Sequence, residues 1–328
     1  MASPLTKNRT ERGPRRAREL LGPLVGLVGV IVLFALLEPG TFLSVYNFQT
    51  IAAQTVIVGF GAIGMTFVIV SGGIDLSLGS VIALTSVVTA LALRHHWSPA
   101  PAALAGIVTG VAAGFVNGAL ITRLQVVPFI VTLGSMGIAR GLAKYLADEQ
   151  KIDAPAGWLA VVMAKSPTPP WLLVAPGTWF MFALAIVMGF VLKRTVFGVH
   201  TYAVGSSEAT ARLCGVRVPR VKLVIYALSG LFAGLAGVMQ YARLTVGDPT
   251  TAVGKELDVI AAVVIGGASL AGGVGGIGGS LVGAFLMSVL ANGCTLTGVP
   301  NYVQEILIGV IIVVAVALDR LRHRRADA

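Results

Sequence analysis

The sequence predicts an all-α polytopic membrane protein of about ten transmembrane helices with an inverted internal repeat. Three observations predict it. Of 328 residues, 56% are hydrophobic and only 12% charged, whereas a soluble domain carries about 25% charged residues. Apolar runs near the spanning length recur along the chain, and a helix needs about 20 such residues to cross a bilayer core of roughly 30 Å. Glycines and an Asn-Gly pair recur at one fixed offset between the two halves. The composition excludes a water-soluble globule, which could not be given a polar surface. It also excludes a disordered chain, which needs far lower apolar content. The 41 glycines fit helices that pack backbone to backbone.

The predicted spans, in order, are 21–37, 50–70, 79–93, 101–121, 128–147, 178–192, 222–242, 257–271, 276–293 and 303–319. The first follows a basic segment (Lys7, Arg9, Arg12, Arg15, Arg16 and Arg18), as the core of a signal peptide would. Its apolar run is long, and Glu38-Pro39-Gly40 follows instead of a small-residue cleavage site, so it reads as an uncleaved anchor. The runs 79–93, 178–192 and 257–271 are short for a straight crossing. The longest connections, 147–177 and 193–221, are too small for an independent domain. The expected organisation is a basic cytoplasmic segment at 1–20, a transmembrane domain at 21–319 and a basic cytoplasmic tail at 320–328.

Basic residues set the orientation. With the N-terminus in the cytoplasm, the inner segments 1–20, 193–221 and 320–328 hold six, five and four Lys or Arg residues. The outer connections hold mainly Arg94, Lys151, Lys165, Arg243 and Lys255. That asymmetry follows the positive-inside rule, and ten crossings return the C-terminus to the cytoplasm. The net charge of +10 is therefore a topology and lipid-headgroup signal, and no nucleic-acid partner is expected. Cys214 and Cys294 fall on opposite membrane sides in this topology and cannot pair.

A gapless shift of 175 residues places Gly59, Gly72, Gly79, Gly118 and Gly134 on Gly234, Gly247, Gly254, Gly293 and Gly309, and Asn117 on Asn292. Random placement of the glycines would give about two coincidences. The shift carries the second span onto the seventh, an odd number of crossings. The halves would then be inverted, as in many transporters.

The most informative segment is Ser71-Gly-Gly-Ile-Asp-Leu-Ser-Leu-Gly-Ser80, which breaks two apolar runs and sets Asp75 near the membrane. A carboxylate there is costly unless paired or capped. Asp75 or Ser77 could cap the following helix, or both could form a polar wall of a substrate path. Either role puts the segment inside the protein, where irregular backbone is tolerated. Its repeat partner, 246–255, also precedes a short span, and paired breaks of this kind point to a transport pathway. Arg140 lies within the fifth span with Lys144 one turn on. They either reach for the outer headgroups or line an outward cavity. Asn117, Gln240, Asp258 and Glu305 are further polar residues near helix ends, suited to interhelical hydrogen bonds. In 205–220, Ser206 or Ser207 can cap a short helix and Gly215 can end it. This forms either a docking surface for a cytoplasmic partner or a packed connector.

Enzyme motifs are missing. No Gly-x-x-x-x-Gly-Lys-Ser/Thr loop occurs, so the chain does not hydrolyse ATP by that route. Gly273-Val-Gly-Gly-Ile-Gly278 matches a dinucleotide pattern but lies between two spans, where it reads as the turn of a helix hairpin. The four histidines have no zinc spacing. No catalytic residue, metal or cofactor is expected.

Several motifs together resemble the ribose-type sugar permeases of ABC importers. They are the 71–80 segment, Val116-Asn-Gly-Ala-Leu-Ile-Thr-Arg123, Pro128-Phe-Ile-Val-Thr-Leu-Gly134, Ile138-Ala-Arg-Gly-Leu142 and Glu208-Ala-Thr-Ala-Arg-Leu-Cys-Gly215. Val221-Lys-Leu-Val-Ile-Tyr-Ala-Leu-Ser-Gly230 and Glu256-Leu-Asp-Val-Ile-Ala-Ala-Val-Val-Ile-Gly-Gly267 continue the series. The resemblance implies a permease subunit in the bacterial inner membrane, paired with a second copy or a close homologue. It also implies a periplasmic sugar-binding protein and a cytoplasmic ATP-binding subunit as partners. By the same resemblance Glu208, Ala211, Arg212 and Gly215 belong to a short helix that couples to the ATPase, with Thr210 departing from the usual Glu-Ala-Ala. The substrate-path candidates are Asp75, Ser77, Asn117 and Arg140. The competing readings are a branched-chain amino-acid permease of the wider superfamily, an ion-driven secondary transporter and a membrane-embedded enzyme.

Overall fold

A computed structural model describes residues 12–165, 167 and 169–326. The elements in chain order are α1 (Arg12–Leu37), α2 (Pro39–Phe42), α3 (Val45–Val70), α4 (Leu78–Arg94), α5 (Pro99–Leu124), α6 (Pro128–Leu146), β1 (Ile152–Asp153) and α7 (Leu159–Val162). A 3-10 turn at Pro170–Leu172 is followed by α8 (Pro176–Arg194), α9 (Val196–Ser206), α10 (Glu208–Leu213), α11 (Val218–Leu244), β2 (Val246–Gly247), α12 (Lys255–Ile265), α13 (Ile277–Leu296) and α14 (Asn301–Ala326). Prolines open α5, α6, α8 and α11, where the missing N–H would have had no helical partner. Ser44 caps α3 by accepting from Asn47 N at 3.2 Å.

Among the described residues the fold is all-α apart from the antiparallel β1–β2 pair. Among them, five helices (α3, α5, α8, α11 and α13) are long and apolar enough to cross a membrane, and three shorter apolar stretches accompany them. Helix α3 is the hub: Phe60, Ile63, Met65 and Phe67 are fully buried, and α8, α11, α12 and α13 pack around it. The outer faces of α1, α5 and α8 carry exposed Val25, Val28, Leu104, Val108, Ile186 and Phe190, which form an apolar belt.

Each predicted span falls on a helix, with one correction of extent. The eighth was expected over 257–271, but α12 ends at Ile265. Gly267, Gly272, Gly273 and Gly275 adopt positive φ, so 266–276 is a glycine turn and not a final helical turn. The turn is tied inward by Gly273 N, which donates to Val70 O at 2.8 Å. At the two ends, helix α1 begins at Arg12, inside the segment expected as a basic leader, and α14 continues to Ala326 through the expected tail. Residues 1–11 and 327–328 lie outside the described residues. Cys214 is exposed and Cys294 buried, and both are free thiols.

Two features position the site. Helices α5 and α11 meet backbone to backbone. A Cβ on Gly110 would lie 2.7 Å from Gly234 Cα, and one on Gly114 would lie 2.9 Å from Gly230 Cα. The second feature is the connection 248–254, which dips into the bundle. Gly247 packs beside Val87 on α4, whereas Ala252 O and Glu256 press on Gly79. Those contacts are eight residues of α4 apart, a descent of about 12 Å at 1.5 Å per residue.

Candidate functional site

The 71–77 turn leads into α4, whose first turn meets the dipping connection at Gly79. Gly72 has φ +79° and lets the chain leave α3 sharply. Asp75 then lies 3% exposed with three donors on its carboxylate. Its Oδ1 accepts from Ser77 N at 3.0 Å and Ser77 Oγ at 2.6 Å, and its Oδ2 accepts from Ser229 Oγ of α11 at 2.8 Å. Asn117 Nδ2 of α5 donates to Ser77 Oγ at 2.9 Å, and Ser135 Oγ of α6 donates to Asn117 Oδ1 at 2.5 Å. One chain of side-chain hydrogen bonds therefore runs from α6 through α5 and the turn to α11. No basic side chain pairs with Asp75 among the described residues. Its carboxyl oxygens are satisfied by hydroxyl and backbone amide donors, as a buried polar group requires.

This geometry brings Asp75, Ser77 and Asn117 together and corrects the expected capping role. Ser77 stands at the N-cap of α4 but makes no side-chain cap. Asp75 closes the turn ahead of the helix and does not cap the helix itself. Ser135 and Ser229 complete the chain; Ser229 lies inside the Val221–Gly230 motif and Ser135 directly follows Gly134, but nothing there singles out either hydroxyl.

Arg140 stands apart from this chain and is engaged by backbone carbonyls. Its Nη1 donates to Pro249 O at 2.8 Å and Thr251 O at 2.7 Å, pinning the dipping connection to α6. Gln240 Nε2 of α11 holds the same connection through Thr251 Oγ1 at 2.7 Å. Beyond β2, Asp248 receives Thr250 N at 2.8 Å and Thr250 Oγ1 at 2.6 Å, with Lys151 Nζ at 3.5 Å. Partial burial pushes its carboxyl up, but the Thr250 bonds and the Lys151 ammonium outweigh that and hold it below the usual carboxylate range. Of the other polar residues, Asp258 pairs with Lys255 on its own helix at 2.6 Å, and Glu305 is exposed.

At the opposite end of the bundle, Ser207 caps α10 by accepting from Thr210 N at 3.3 Å, and Gly215 ends it at φ +83°. Ala211 is buried against the bundle, whereas Arg212, Leu213, Cys214 and Gly215 face outward. Glu208 pairs with Lys222 of α11 and lies 3.7 Å from Arg212. Lys222 is therefore the anchor of α10. A groove of about 370 Å³ runs between α10, the start of α11 and the 125–127 link.

Residues 47–316 match the family described as the permease component of the branched-chain amino acid transport system. The chain belongs to this permease family. This permease is 40% identical over 301 residues to the ribose import permease protein RbsC of Bacillus subtilis, covering 92% of each chain. It is 37% identical over 310 residues to the protein of the same name from Escherichia coli K12, covering 92% of this chain and 93% of that one. It is 34% identical over 329 residues to the L-arabinose ABC transporter permease protein AraH of Azospirillum brasilense, covering 96% and 94%. No solved structure matches it. Family membership and the apolar helices make this permease a multi-pass membrane protein.

Proposed function

We propose that the chain is the membrane permease subunit of an ATP-driven importer of a monosaccharide. The observation that carries this is its similarity to ribose and arabinose permeases over more than nine-tenths of both chains. A soluble sugar-binding protein would deliver the sugar on the β1–β2 side. A second permease copy would complete the conduit. A separate cytoplasmic subunit would hydrolyse ATP, and α10 would seat on it through Glu208, Ala211, Arg212 and Gly215. The exposed outer turn of α10, anchored at Glu208 by Lys222, supports that seat.

The reading includes ten crossings of the bacterial inner membrane, cytoplasmic termini and two inverted halves. The 175-residue offset carries α3, α4, α5 and α6 onto α11, α12, α13 and α14. Neighbour pairs correspond as well: α5 with α11 answers α13 with α3, and α4 with α6 answers α12 with α14. Transport would be alternating access. Closure of the ATPases moves α10, and the two halves reopen the path on the other side. The driving difference in contact energy comes from those partners, because a ligand indifferent to the two states shifts nothing.

The test is uptake of labelled D-ribose, L-arabinose and L-leucine by cells that carry or lack the chain. Loss of pentose uptake on deletion, with leucine uptake intact, is the expected result. Loss of leucine uptake alone would move the chain to the amino-acid branch. Pentose pumping by the purified chain under a proton gradient, without an ATPase, would replace the ATP-driven reading with a secondary one. Glu208→Gln and Arg212→Ala are expected to reduce co-purification of the ATPase and uptake together. Normal assembly and uptake in both variants would remove α10 from the coupling role.

A further inference from the structure

Helices α3, α11, α12 and α13 enclose a cavity of about 240 Å³ on the β1–β2 side, with Gln54, Gln240, Arg243, Lys255, Asp258 and Thr295 on its walls. Most of these groups have partners. Lys255 Nζ lies 2.6 Å from Asp258 Oδ2, Gln240 donates to Thr251 Oγ1, and Thr295 Oγ1 donates to Ala291 O at 2.8 Å. Arg243 and Gln54 make no hydrogen bond or ion pair with any other described residue. The contrast with Arg140, whose guanidinium is occupied by two carbonyls, is direct. The dipole of α11 favours a cation near its C-terminus, but it supplies no acceptor for the five N–H groups of a guanidinium. A lipid-facing arginine would extend toward headgroups, whereas Arg243 lines a cavity between four helices.

We infer that this cavity binds a small neutral polyol, with the Arg243 guanidinium donating to two adjacent hydroxyl oxygens and the Gln54 amide to a third. The inference rests on the monosaccharide reading above and assigns the residues that meet the sugar. A guanidinium presents paired donors in a fixed fork, which matches vicinal oxygens. The walls offer acceptors as well, in Asp258, Thr295 and the Gln240 carbonyl. Mixed donors and acceptors suit hydroxyls, each of which donates once and accepts twice, better than they suit an anion. The volume lies below the roughly 300–1,000 Å³ of sites for drug-sized ligands, so the solute is small. No aromatic ring lies among the described wall residues, which suits a step where the sugar is held weakly and released.

The experiment is saturation-transfer NMR on the full chain in lipid nanodiscs, with D-ribose, L-arabinose and D-gluconate as probes, alongside uptake in cells. The expected result is a pentose signal that Arg243→Gln weakens about tenfold, the usual scale for losing a charged hydrogen bond. Gln54→Ala weakens it less, and the distant His95→Gln leaves it unchanged. Elution as a single species checks that each variant is folded, and Gln54→Ala keeps the test decisive if Arg243→Gln misfolds. A pentose signal indifferent to both substitutions, no pentose signal from the unmodified chain, or an Arg243-dependent signal from gluconate alone would each overturn the inference. If cells import pentose and Arg243→Gln does so equally, this site falls while the permease reading stands. If the cavity binds pentose in cells that import none, the permease reading falls while the site stands.

Discussion

At the scale of single residues, the molecule depends on a few polar atoms placed where water is excluded. Asn117 is the middle link between Ser135 and Ser77, so Asn117→Ala leaves the half-buried Ser135 hydroxyl without its partner and strips the buried Ser77 hydroxyl of one of its two side-chain bonds. Each such loss costs about 1–3 kcal/mol, and a lower unfolding midpoint in detergent is the expected result, with Ser135→Ala showing a smaller drop. Arg140→Met removes both restraints on Pro249 and Thr251. Amide exchange should accelerate within 248–254 and remain slow in the first turns of α6. A mass-spectrometric exchange map with no change at 248–254 would contradict the pinning role. The sequence made Asp75, Ser77 and Asn117 legible through the Gly-Gly break and the repeated Asn-Gly pair. Ser135 and Ser229 were not legible. A lone hydroxyl in an apolar helix can bond its own preceding turn, as Thr66 does to Ala62 O at 2.5 Å, and so carries no pattern.

At the scale of elements, the decisive contact is the glycine seam between α5 and α11. Gly106, Gly110, Gly114 and Gly118 recur every four residues on α5, and Gly230 and Gly234 continue the spacing on α11. That spacing is readable in the sequence, although which helix faces which is not. A side chain at Gly114 has no space, because its Cβ would already meet Gly230. Gly114→Leu should therefore separate the helices and cut folded membrane yield severely, beyond the 1–3 kcal/mol of ordinary overpacking. Gly134→Ala, with nothing within 4 Å of the added carbon, should fold normally in the same expression assay. At α10, Ser207→Ala removes a cap worth about 1 kcal/mol. It should lower helix protection in 208–213 without disturbing α9. The eighth span reads longer in the sequence than in the structure because hydropathy continues through Ala268 and Leu270, while Gly267, at φ +94°, ends the helix by backbone geometry.

At the scale of the whole molecule, long-range ties decide how the connections are held. The 147–175 connection reaches the end of α11 through β1–β2, the Lys151–Asp248 pair and Tyr241, whose hydroxyl donates to Ala154 O at 2.8 Å. None of these is visible in hydropathy, since a two-residue strand pair is set by where the helices end. Asp248 titrates below its ordinary value when folded. Its contribution is therefore present above the unfolded carboxyl value of about 3.9 and is lost as pH falls through the folded value. Protection of 246–250 should be level from pH 7 to about 5 and fall only in stronger acid, and Asp248→Asn should abolish that fall. The grip on the dipping connection has a different character. Arg140 holds peptide oxygens, which every amino acid supplies. Natural variation can thus rewrite the side chain at 249 while this latch stays shut, as long as the guanidinium is kept.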